Sequence, residues 1–83
     1  MQTKQADYNL WVKNSKDLVE KVEKAPNQEN IVSHLKKECK TLQKHFADDY
    51  KWWKNDLKSE EVHYAERLNK QLHADLVKLE QML

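Results

Sequence analysis

Residues 30–58 read NIVSHLKKECKTLQKHFADDYKWWKNDLK, with Val32, Leu35, Cys39, Leu42, Phe46, Tyr50, Trp53 and Leu57 recurring every three, four or so positions. At about 100° per residue these side chains fall within an arc of roughly 80°, which marks an amphipathic helix with one face turned to a core. A helix over about 28–58 is therefore predicted, with Asn27 or Asn30 as its N-cap.

On either side the punctuation is sparse. Pro26 is the only proline in the 83 residues, and glycine is absent. The residue before a proline disfavours the right-handed helical region, so Ala25-Pro26 closes an earlier helix over about 3–25. Its apolar face carries Tyr8, Trp11, Val12, Leu18, Val19 and Val22. Downstream, Ser59 followed by Glu60 and Glu61 reads as an N-cap with acids in the first turn. It opens a helix over about 60–83, with Val62, Ala65, Leu68, Leu72, Leu76, Leu79 and Leu83 facing inward. No residue at that boundary forbids helix, so a single continuous helix is the alternative to the expected break.

Three segments of similar length predict one all-α domain over residues 1–83, a three-helix up-down-up bundle. Leu42, Phe46, Leu68 and Leu72 are expected in the middle of its core. So small a domain has a narrow core, and self-association as a homodimer is a way to bury more apolar surface.

Composition excludes more than it specifies. Without glycine there are no tight β-hairpins, no phosphate-cradling glycine loops and no nucleophile elbow. The net charge of +1 exerts no bulk pull on nucleic acid or anionic membrane. The lone Cys39 has no partner for an internal disulfide and lies in the apolar stripe, which suits a buried thiol in a reducing compartment. With no leader-like or membrane-spanning run, a soluble cytoplasmic protein is expected. No cofactor, metal or small-molecule substrate is expected, and no residue set points to an enzyme.

Three surface features remain. In an up-down-up bundle all seven aromatics (Tyr8, Trp11, Phe46, Tyr50, Trp52, Trp53 and Tyr64) gather at one end. Trp53 is in phase with the core stripe, whereas Trp52 points about 110° from its centre. Trp52 therefore either covers the edge of a neighbouring helix or stands exposed for binding. Trp52, Tyr8, Trp11 and Tyr64 are the candidate partner-binding residues, since Trp and Tyr are enriched at interfaces.

The second feature is a lysine face: Lys36, Lys37, Lys40, Lys44, Lys51, Lys54 and Lys58 project within about 100° of one another. It is a candidate surface for an anionic partner, although it contains no arginine for bidentate phosphate contacts. Finally, His34 with Glu38 and His45 with Asp49 are i,i+4 pairs on the opposite flank, and Glu60-x-x-His63 follows on helix three. The two i,i+4 pairs lie about 16 Å apart along the helix, too far to share one ion, and read as surface hydrogen-bonded pairs. The expected function is a small non-enzymatic protein-interaction module: a regulator, inhibitor or adaptor. The alternative is a nucleic-acid-associated protein using the lysine face.

Overall fold

The computed structural model describes residues 4–82, which form three helices: α1 (Lys4–Lys24), α2 (Glu29–Asp56) and α3 (Ser59–Met82). Thr3 and Leu83, assigned to helix ends from the sequence, lie outside the described residues. All three helices pack on one another in a body 40 × 24 × 19 Å. Contacts descend α2 as they climb α1, from Lys4 with Asp56 to Asp7 with His45 and Trp11 with Leu42. They descend α2 again as they climb α3, from Tyr50 with Glu66 to Cys39 with Leu72.

Both turns are made without glycine and without any residue at positive φ among those described. One extended residue flanks α2 at each end instead. Gln28, at φ −119° and ψ 134°, precedes α2, and its side chain makes no capping hydrogen bond. This corrects the expected cap at Asn27 or Asn30. The turn closes on backbone groups, with the Gln28 N–H on the Pro26 carbonyl at 2.9 Å and the Val32 N–H on the Gln28 carbonyl at 2.9 Å. Leu57, at φ −107° and ψ 164°, ends α2, so α2 and α3 are separate helices. Ser59 is the first residue of α3 and not its cap. That place falls to Lys58, whose carbonyl receives the Val62 N–H at 3.1 Å while its own N–H donates to the Glu61 carboxylate at 3.3 Å. Glu61 thus supplies the return half of a capping box without a serine or threonine opposite it.

The buried positions follow a three-four repeat. In α1 they are Tyr8, Trp11, Ser15, Leu18 and Val22; in α2 they are Val32, Leu35, Cys39, Leu42, Phe46 and Trp53. That spacing lets ridges of one helix enter the grooves of another at a shallow angle. Leu42, Phe46 and Leu72 are buried as expected, whereas Leu68 is only half-buried and packs at the core margin. The polar tips of buried side chains find helix carbonyls. Trp11 Nε1 donates to Leu42 O at 2.8 Å, Tyr8 Oη to Glu61 O at 2.7 Å and Cys39 Sγ to Leu72 O at 2.9 Å. Burial, with Asp75 nearby, pushes the Cys39 thiol up to about 11, so it stays protonated and inert at neutral pH.

Asp75 is a buried acid that sequence phasing overlooked. It is 7% exposed, accepts a hydrogen bond from Gln71 Nε2 at 2.9 Å through one oxygen, and leaves Oδ2 without a partner. Burial raises its pKa, with Glu23 adding to the rise; the Gln71 hydrogen bond and Lys78 oppose it. Asp75→Leu is therefore expected to stabilise the fold by about 1–3 kcal/mol at pH 7, the usual burden of an unpaired buried polar group. The folded carboxyl holds its proton where the unfolded one has lost it. Native Asp75 thus costs stability as pH rises from 3.8 through the raised folded value, and the gain from Leu shrinks on acidification. Denaturant midpoints of the variant and the parent at neutral and mildly acidic pH test both parts. A loss of stability at pH 7 would show that the apolar side chain does not fit this site.

Candidate functional site at the aromatic end

The rings at the N-terminal end of α1 and the C-terminal end of α2 divide into a buried cluster and an exposed patch. Trp11 and Trp53 are both fully buried, with ring centroids 5.4 Å apart, and Phe46 packs 5.3 Å from Trp11. Tyr8, 5% exposed, meets Trp53 edge-on at 5.5 Å. Tyr8 and Trp11 are thus core residues and not the partner-binding residues expected from the sequence. The reason is phase: both belong to the α1 stripe that faces α2, and stripe rings are consumed by packing. Tyr64 is half-buried, with Lys16 Nζ 5.5 Å from its ring centroid.

Trp52 is different. It is 47% exposed, and its ring lies under two ammonium groups, Lys4 Nζ at 4.7 Å and Lys51 Nζ at 5.4 Å from the centroid. Lys4 also pairs with Asp56, which ties the first turn of α1 across the end of α2. The edge-covering and exposed alternatives are therefore both partly met, since the indole packs against lysine side chains while nearly half of the residue stays in solvent. Next to it, Lys54 Nζ lies 5.1 Å from the Tyr50 ring.

The lysine face is present as read, with two adjustments. Lys37, Lys40, Lys44, Lys51 and Lys54 are exposed and Lys36 is half-buried, and none of these is ion-paired among the described residues. Lys58 is exposed too, but it lies in the turn after α2 and so does not continue the helix face.

On the flank facing α1, a cluster forms that spacing alone did not reveal. His45 Nε2 lies 3.0 Å from Asp49 Oδ2, the i,i+4 pair anticipated, and also 2.9 Å from Asp7 Oδ1 of α1. The Asp7 and Asp49 carboxyls lie close together beside His45, and their pKa values are pushed apart. Burial pushes Asp7 upward, but hydrogen bonds with Asp49, His45 and Trp53 outweigh it and hold the pKa below 3.8. Asp49 is raised, by its hydrogen bond to Asp7 and then by burial. Asp7 was missed because only the antiparallel register of α1 on α2 brings it to His45, 38 positions away.

The other histidine pairs stay local. His34 Nε2 meets Glu38 at 2.8 Å, and His63 Nδ1 meets Glu66 at 3.1 Å. Glu66 also accepts the Tyr50 hydroxyl, so His63 pairs within α3 with Glu66 and not with Glu60.

No protein-family model, curated protein or solved structure matches the chain. No helix among the described residues is long and apolar enough to cross a membrane.

Proposed function

We propose that this chain is a small non-enzymatic interaction module, acting as a regulator, inhibitor or adaptor, which binds an acidic segment of another protein at the Trp52 patch. The observation that carries the reading is Trp52 itself: nearly half exposed, flanked by Lys4 and Lys51, and bordering a run of lysines without ion pairs. An indole offers a large rigid contact area, and the surrounding ammonium groups favour carboxylates over other polar partners. The buried, inert Cys39 suits action in the reducing cytoplasm.

Trp52→Ala tests the proposal. Helical content and melting temperature should stay close to those of the parent, since surface changes usually remain within about ±0.5 kcal/mol. Affinity for a panel of labelled peptides pairing Glu/Asp runs with an aromatic or leucine should fall about 30-fold, equivalent to ~2 kcal/mol. Equal affinity of parent and variant would remove Trp52 from the interface.

The unpaired lysines favour a second reading, in which the same face meets nucleic-acid phosphates. Mixed-sequence single-stranded DNA measured in parallel separates the two. Contacts from the six lysines of the helix face would make affinity fall about 300-fold between 50 and 200 mM salt. Absence of DNA binding at the lower salt removes this second reading.

A further inference from the structure

We propose that Asp7, His45 and Asp49 form a binding site for a divalent transition metal of the zinc class, which clamps the first turns of α1 onto α2. The ligand-capable atoms of the three residues lie within 4.8 Å of one another. His45 Nε2 is 2.9 Å from Asp7 Oδ1 and 3.0 Å from Asp49 Oδ2. Zinc held at about 2.0–2.2 Å by nitrogen and oxygen in a tetrahedron needs its ligands roughly 3.3–3.5 Å apart. Opening the cluster by under about 1 Å achieves this, within the rotamer freedom of half-buried side chains.

The set also has a charge that suits a cation. Two carboxylates whose oxygens lie within 4.8 Å of one another repel when both are ionised, and a dication between them relieves that repulsion. On binding, His45 presents its Nε2 lone pair, any proton there moving to Nδ1 or leaving to solvent, and both carboxylates become ligands. One imidazole with two carboxylates selects a borderline transition metal over calcium or magnesium, which prefer all-oxygen shells. The three side chains are 26–29% exposed, leaving room for water to complete the coordination.

Asp49 sits four residues before the buried Trp53, on the flank of α2 that meets Asp7 of α1. Trp53 forms the inner wall, with its ring centroid 6.1 Å from that of His45. The rival pairs, His34–Glu38 and His63–Glu66, offer two ligands each from a single helix.

Zinc chloride titrated into the full, tag-free chain at pH 7 should bind at one equivalent and raise the melting temperature. Cobalt(II) in its place should show the visible absorption of a low-coordinate ion and quench tryptophan emission through the neighbouring Trp53. Asp7→Asn and His45→Gln keep size and shape, and each should weaken binding by at least about tenfold and abolish the thermal shift. The double change His34→Gln with His63→Gln should leave affinity within about threefold of the parent, since neither residue touches the cluster. A dissociation constant weaker than about 1 mM, or binding retained in Asp7→Asn but lost in the His34/His63 variant, would overturn the proposal. Circular dichroism of each variant establishes that the helices persist.

Discussion

Trp53→Ala should destabilise the bundle by about 3–5 kcal/mol, whereas the same change one residue earlier, at Trp52, should leave stability almost untouched. Trp53 has no solvent exposure, and its ring meets Tyr8, Trp11 and Phe46 with centroids 5.4–5.8 Å apart. Removing it leaves a cavity bounded by three rings that cannot all shift inward, because Trp11 and Tyr8 are each tethered to a helix carbonyl. Two of the three rings, Tyr8 and Trp11, belong to α1, so part of the anchoring of that helix goes with it. For a domain of this size total stability is about 4–12 kcal/mol, and a loss of this magnitude removes a large share of it. Chemical denaturation followed by far-UV circular dichroism measures the difference. A cost under about 1 kcal/mol at Trp53, or equal large costs at both tryptophans, would contradict the division into a buried and an exposed indole.

That division shows what the sequence carries and what it does not. Phase within α2 separated Trp53 from Trp52, because positions 100° apart cannot share one stripe. The same phasing placed Leu42, Cys39 and Leu72 in the core, and Ala25-Pro26 ended α1 within one residue of the observed boundary. Tyr8 and Trp11 share a stripe with the core, and a ring in phase with a core is taken up by packing, so aromatic type alone does not mark a binding residue. The caps escape a composition-based reading because Gln28 and Lys58 have little intrinsic capping preference: their backbone groups close the turns, helped at Lys58 by the Glu61 carboxylate. Buried polar side chains were invisible for a related reason. Ser15 and Asp75 occupy core positions set by the neighbouring helices, and a single-helix apolar pattern passes over any position that is not apolar. Asp7 needed still more, since its meeting with His45 depends on the vertical register of two helices.

The second large effect is expected at the middle of the α2–α3 interface, where Leu72→Ala should lower stability by about 2–5 kcal/mol. Leu72 is fully buried, and its carbonyl accepts the Cys39 Sγ contact at 2.9 Å, so backbone and side chain both face α2 at this level. The adjacent apolar side chains of α3, Leu68 and Leu76, are half-buried at the margin of the core and cannot move in to fill the space without uncovering themselves. Little relaxation means that most of the cavity persists, which sets the upper part of the range. Leu68→Ala is the internal comparison. Its side chain already contacts solvent, so its truncation forfeits less buried surface and should cost clearly less than Leu72→Ala. At about 4–8 °C per kcal/mol for a domain of this length, Leu72→Ala should depress the melting temperature by roughly 10 °C or more. Equal costs at positions 68 and 72 would mean that α3 is rotated about its axis relative to the arrangement described, since one residue could then not be central while the other is marginal.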